Sequence, residues 1–312
     1  MKKHLLTASL TLTLLLSGQP AAFSDVPDGA WYAADAALCQ SVGLMQGTGE
    51  DTFSPEGTVT LAEVMTVVAR LHELSQGGDG VLPQAPAAWG TGSLTTLEGS
   101  TLLTFSAQDL VSGRLSYHYD NEQPRRLHLQ LSVNAAQLRA LTPAGGGSSG
   151  AALVLNGIHV LTGFLSPVGN GVRRVEFVSA AGADHELCNK ELSPFLAAPV
   201  GDVWYRDALW YVQEHGLMED QPMAQFFEDP ATRIDLAEWL CKVLPPEDLP
   251  AIGQAASVPD IQDPDVLRLY QAGILTGVDE AGTFAGDRTL TRAELSAVLA
   301  RVVDPSRRVM PG

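Results

Sequence analysis

The sequence predicts an α+β protein, in which a mostly helical array of three repeated units is interrupted by a small β-rich domain. Three observations predict it. A helix ended by glycine and followed by a second, carboxylate-capped helix recurs three times. The residues between the first and second copies alternate apolar and polar with the period of a strand. The acidic charge is concentrated in the repeats. The chain has 312 residues with 36 acidic and 19 basic side chains, a net charge of -17. Residues 23–80 hold one base against 9 acids and residues 199–312 hold 9 against 19, whereas residues 81–198 hold 7 against 8. Such a balance argues against a nucleic-acid binder, which needs a basic face, and against anionic lipid surfaces. An anionic ligand would have to be held by a local pocket against the overall field.

Residues 1–22 read as a secretory signal peptide. Lys2, Lys3 and His4 form a basic start, Leu5 to Leu16 is an apolar run of 12 residues, and Pro20-Ala21-Ala22 supplies small residues for cleavage. A membrane span needs about 20 apolar residues, so no transmembrane segment is expected after its removal. The expected location is outside the cytoplasmic membrane. Cys39, Cys188 and Cys241 are an odd set that defines no disulfide framework, although one bridge could form.

The repeats align on Gly43-Leu44-Met45, Gly216-Leu217-Met218 and Gly273-Ile274-Leu275. Each follows apolar residues spaced for one helical face, and the glycine suits a left-handed C-terminal cap. An aromatic loop comes next, at Phe53, Phe227 and Phe284. A second helix then opens at Thr60-Leu61-Ala62-Glu63, Asp235-Leu236-Ala237-Glu238 and Thr291-Arg292-Ala293-Glu294. Thr followed three residues later by Glu is a capping box, which explains Thr60 with Glu63 and Thr291 with Glu294 on structural grounds alone, while Asp235 caps equally well. Arg292 is different, because a cation in the first turn opposes the helix dipole. A guanidinium beside free helix donors suits a carboxylate or phosphate.

The segment 76–198 is an insert. Ser75 to Gly92 reads as a linker rich in Gly, Pro and Ala. Leu127, Leu129, Leu131 and Val133 alternate with polar residues as a half-buried strand, and 102–105, 115–119, 152–160 and 172–178 are further strand candidates. Ala135 to Leu141 reads as a short helix. Gly146-Gly147-Ser148-Ser149-Gly150 fits a nucleophile-elbow string, but no strand feeds it and no helix leaves it. His118, His128, His159 and His185 have no zinc-motif spacing, and Glu176, Asp184, Glu186 and Glu191 are scattered. No catalytic residue, metal site or cofactor is expected.

Together these landmarks resemble the S-layer homology (SLH) repeat of bacterial cell-surface proteins. Phe23-Ser24-Asp25-Val26 matches the family's opening, and Trp31, Gly43, Gly47, Phe53, Pro55, Thr60 and Glu63 follow in order. The last copy carries Asp260, Gly273, Gly277, Phe284 and the whole Thr291-Arg292-Ala293-Glu294 string. In the middle copy Asp220 stands where the second glycine belongs. The resemblance covers residues 23–75, 199–246 and 256–304. It implies a pseudo-threefold helical bundle whose grooves hold a secondary cell-wall polysaccharide or peptidoglycan-linked glycan, often ending in a pyruvylated amino sugar. By resemblance the motif arginine, Arg292, meets the ketal carboxylate, with Thr291, Glu294, Asp25, Trp31, Gly43, Gly47, Glu63, Trp204, Asp260, Gly273 and Gly277 shaping the grooves. Leu61 and Leu236 occupy the expected arginine position in the other copies, and Arg233 falls two residues before the expected cap, so at most one groove is expected to keep its cation. The expected function is non-enzymatic attachment to the cell wall or S-layer. The rivals are a degenerate scaffold whose insert binds a protein or glycan, and an extracellular hydrolase with its site in the insert.

Overall fold

The computed structural model describes residues 23–122, 124–169, 172–183, 185–199, 201–218, 226–253 and 258–310, so the expected signal peptide, Asp184 and Asp220 lie outside the described residues. Its contacts divide the chain in two. One unit holds the described residues up to Pro83, Asp207–Leu217 and those from Phe226 onward; the other holds Gln84–Arg206 and Met218. In chain order the elements are α1 (Ala33–Ser41), α2 (Leu61–Ser75), β1 (Thr91–Thr95), β2 (Thr101–Ser106), α3 (Ala107–Val111), β3 (Leu115–Tyr119), β4 (Leu127–Ser132), α4 (Ala135–Leu141), β5 (Ser149–Leu155), β6 (Ile158–Pro167), β7 (Arg174–Ser179), α5 (Glu186–Ala197), α6 (Arg206–Glu214), α7 (Arg233–Val243), α8 (Pro264–Gln271) and α9 (Arg292–Val303).

The helical unit closes on itself through the segments that precede α2, α7 and α9. Val59 N donates to Leu290 O (3.0 Å), Leu290 N to Ala231 O (3.1 Å) and Ala231 N to Val59 O (2.8 Å). This is a ring of three hydrogen bonds, and all three side chains are buried at its centre. Around it, Leu61 N donates to Asp229 O, Arg233 N to Arg288 O and Arg292 N to Gly57 O. Each helix start thus gives its free donors to the loop of another repeat, which satisfies groups that a helix cannot pair internally. The ring makes Leu61, Arg233 and Arg292 equivalent positions.

That equivalence corrects the alignment of the middle copy. The cap of α7 is Thr232, not Asp235: its hydroxyl accepts from Asp235 N, and Asp235 accepts from Thr232 N. The capping box is therefore Thr232-Arg233-Ile234-Asp235, and Arg233, not Leu236, holds the motif arginine position. Glu238 lies one turn further along the helix and has no capping role. Aspartate replaces glutamate in the box, which is why aligning glutamate with glutamate slipped the register by three.

The glycine turns form for the expected reason. Gly43, Gly216 and Gly273 have φ of 74°, 64° and 70°. Leu44 N reaches Cys39 O, Leu217 N reaches Val212 O and Ile274 N reaches Leu269 O, which closes the helix ends. Arg70 and Arg301, one in each of α2 and α9, donate to the carbonyls of Leu44 (3.0 Å) and Ile274 (3.1 Å) and fasten these turns. Phe53 and Phe284 are wholly buried below them. No disulfide forms among the described residues; Cys39 and Cys188 are buried, Cys241 is half-buried, and burial pushes all three thiols up.

Between α2 and α6, His72 Nδ1 lies 3.0 Å from Tyr211 Oη, and the His215 ring is 5.3 Å from that of His72. Burial first, and the His215 charge second, lower the His72 pKa from its usual 6.5. A histidine whose folded pKa is depressed favours folding when neutral. Its contribution is complete above pH about 6.5 and is lost as pH falls through the folded pKa. Urea midpoints taken from pH 7.5 to 5 should fall with pH, and the fall should shrink in His72→Gln; an equal slope in both would remove His72 as its cause.

The second unit is a seven-stranded antiparallel sheet in the order β2-β1-β5-β6-β7-β4-β3. Leu94, Leu129, Leu131, Leu153, Leu161, Leu165, Val175 and Phe177 point to one face and form a core with Cys188 and Phe195 of α5. The stretch 152–160, read as one strand, is a hairpin: β5 and β6 meet at Asn156-Gly157, whose φ of 51° and 80° suit a two-residue turn. β1 starts inside the segment read as linker, and α5, polar on its outer side, has no counterpart in the sequence reading. The Gly146–Gly150 string leads into β5 instead of leaving a strand, which is the wrong context for a nucleophile elbow.

Candidate functional site

Arg292 is buried at the start of α9. Its Nε donates to Phe53 O (2.8 Å), Nη2 to Gln46 O (2.5 Å) and Nη1 to Glu63 Oε1 (2.7 Å), and its guanidinium lies 5.1 Å from the Phe53 ring centroid. Glu63 also accepts from Thr60 N (2.9 Å) in its own capping box. Arg292 therefore binds the third repeat to the first, with a neutralising carboxylate at hand.

Asp25 and Asp260 act as clamps. Asp25 accepts from Phe53 N and Ser54 N, both at 2.7 Å, and Asp260 accepts from Phe284 N and Ala285 N, both at 2.7 Å. Ser54 and Ala285 are non-glycine residues at φ 57° and 53°, so the clamps hold backbone that a side chain disfavours. The backbone N–H of Phe53, and at the other clamp that of Phe284, lowers the carboxyl pKa in each. Gly47 and Gly277 permit close loop crossings: a Cβ on Gly47 would lie 2.6 Å from Thr52 O, and one on Gly277 would lie 2.5 Å from Gly282 Cα. Gly43 and Gly273 end helices. Thr291 and Glu294 form the capping box of α9, Thr291 N donating to Glu294 Oε2 at 3.1 Å. Trp31, 64% exposed, stands edge-on to Tyr32, and Trp204 of the other unit stands the same way on Tyr205.

Arg233 repeats Arg292 one step around the ring. Nε donates to Phe284 O (2.7 Å) and Nη2 to Thr276 O (2.8 Å), and the guanidinium lies 5.3 Å from the Phe284 ring. Burial lowers its pKa first; Tyr270 and Glu294 oppose that, and the Arg288 charge adds to it. Here a groove of about 290 Å³ opens, lined by Trp31, Arg233, Gly277, Arg288, Glu294 and Arg301 among others. Three arginines face one carboxylate beside an exposed indole, on a chain of net charge -17. A hollow of about 410 Å³ nearby is lined by Asp260, Phe284, Gly286, Asp287 and Arg288. Gly286 stands where the first repeat has Pro55, and two aspartates against one arginine make the hollow a poorer anion site. At the third equivalent position Leu61 supplies no cation.

The structure thus brings Trp31, Gly277 and Glu294 into one groove, and puts Arg292, Glu63, Asp25 and Gly47 to work on the first repeat's loops. Arg233, Arg288 and Arg301 were missed as groove residues. Thr-x-x-Asp is itself a capping string and could have revealed Arg233; no motif marks Arg288. In the sheet unit, His128 is half-buried, sits between Asp120 (3.4 Å) and Glu176 (3.2 Å) and stacks on His118. No group of three or more His, Cys, Asp or Glu residues among those described is placed to hold a metal ion.

The family model of the S-layer homology domain matches residues 22–65 and 256–296. The chain thus carries S-layer homology domain sequence in two segments, one on either side of the insert. The helices around α7 lie outside both matches and are tied to them by the hydrogen-bonded ring. S-layer homology domains place a protein at the bacterial cell surface and anchor it to the cell wall. No curated protein matches the chain. Among the described residues no helix is long and apolar enough to cross a membrane.

Proposed function

We propose that the chain is a secreted adhesive protein that binds an acidic secondary cell-wall polysaccharide in the groove of Arg233, Arg288 and Arg301, and carries its inserted sheet domain to the wall. The carrying observation is the convergence of three arginines and Trp31 on one groove of an otherwise acidic chain. A sugar ring stacks on the indole while its carboxylate, such as a ketal-linked pyruvate, pairs with the guanidinium of Arg233. The role needs no reaction step, and the protein is read as a non-enzyme, exported by its first 22 residues.

The test is co-sedimentation of the mature protein with sacculi, before and after removal of the wall polymer. Binding should depend on the polymer. A charge-assisted hydrogen bond contributes about 1.5–3 kcal/mol, so Arg233→Ala should weaken binding roughly tenfold or more. Trp31 is exposed, so Trp31→Ala should fold normally and weaken binding as well. No sedimentation with native sacculi at moderate salt would overturn the anchoring proposal.

A further inference from the structure

We propose that Arg288 decides which groove takes the anionic ligand, by drawing Glu294 away from Arg233. The inference rests on the wall-binding reading and goes further, because it makes the chain monovalent. The two arginine grooves have the same frame. In each, Nε and Nη2 donate to two loop carbonyls of the next repeat, and the guanidinium faces a buried phenylalanine. They differ in the carboxylate. Glu63 pairs with Arg292 at 2.7 Å. Its counterpart Glu294 is turned to Arg288, and no ion pair to Arg233 forms among the described residues.

The cause is one position. Arg288 O and Gly57 O accept the equivalent helix-start donors, from Arg233 N and Arg292 N, so residue 288 corresponds to residue 57. Glycine at 57 has no side chain to compete for Glu63. Arginine at 288 competes for Glu294 and wins it. Arg233, only 7% exposed, keeps its two carbonyl bonds but has no carboxylate paired with it among the described residues, and it lines the groove, a costly state that an incoming carboxylate relieves. The groove of Arg292 is already neutralised from within, and Leu61 supplies no cation at the third equivalent position. One open anion groove follows among the described residues, suited to a saccharide carrying a single carboxylate or phosphate.

Two measurements test this. In the first, the 15N resonance of the Arg233 guanidinium is followed without ligand. Arg288→Gly should shift it as Glu294 turns to Arg233, and Arg288→Gly with Glu294→Gln should not, since glutamine keeps the capping box but carries no charge. An Arg233 resonance unchanged in Arg288→Gly overturns the proposal. In the second, calorimetry uses the methyl glycoside of a pyruvylated N-acetylhexosamine, with the unpyruvylated glycoside as control. The wild type should bind one equivalent, Arg288→Gly should bind at least tenfold more weakly, and the double variant should return to within about threefold of the wild type. Failure of the double variant to recover would make Arg288 a direct ligand contact only, and two equivalents in the wild type would overturn the monovalent groove. No binding of either glycoside, with the resonance shift intact, would overturn the wall-binding reading while leaving the Arg288 effect on Glu294 established.

Discussion

Arg292→Ala should destabilise the helical unit by about 3 kcal/mol, the low end of what removing one partner of a buried ion pair costs. The low end applies because the Glu63 side chain keeps 24% exposure and water can reach it. The Phe53 and Gln46 carbonyls lose their charged donor in the same step. Arg292→Lys should recover little, because an ammonium group cannot span three acceptors held in a fork geometry. Arg292→Leu should cost less than Arg292→Ala, since Leu61 fills the equivalent position of the first repeat. Urea unfolding with an unchanged m-value is the measurement. A loss below about 1 kcal/mol for Arg292→Ala would show that Arg292 does not hold the repeats together.

Phe177→Ala should cost the sheet unit about 3–5 kcal/mol. The ring is wholly buried on β7, with Leu129 and Leu165 as its cross-strand neighbours. It also fills the space above Gly163, where a Cβ would come within 2.8 Å of it, so the cavity left behind is bordered by backbone that cannot easily collapse. Phe164, the next aromatic in the sheet, lies on the opposite face and is 53% exposed; Phe164→Ala should change stability by less than about 0.5 kcal/mol. Similar losses for the two variants in thermal or urea unfolding would refute the assignment of the core face.

What the sequence disclosed followed from local physics. Thr60 with Glu63 and Thr291 with Glu294 are capping boxes in any context, and glycine is the residue that ends a helix in the left-handed region, so both ends of most repeat helices were readable. Strand β4 was readable because one of its faces is core and the other is not. The middle copy misled because a capping box tolerates aspartate for glutamate, and Glu238 offered a closer match in letters than Asp235 did in position. β1 and α5 stayed hidden for another reason: Thr91–Thr95 holds one large apolar residue, and α5 is half polar with a proline inside it. The groove was legible only in part. Gly277 and Glu294 belong to motifs of the third repeat, where Arg288 and Arg301 are unmarked, whereas Trp31 and Arg233 reach the groove from the first and second repeats through the closure of the ring, which no single repeat encodes.

That closure also sets how much foreign chain the bundle accepts. Thr60 and Thr232 are 172 residues apart, while Thr232 and Thr291, which make the same kind of junction, are 59 apart. The entropy of joining two ends grows only with the logarithm of the intervening length, so the longer junction costs about 1 kcal/mol more than the shorter one. An insert that folds on its own lowers even that, because its own structure removes most of the slack. The ring therefore tolerates a guest domain at the first junction for a fraction of the free energy that a single buried phenylalanine contributes, and a different guest at the same junction should leave the anchoring bundle intact.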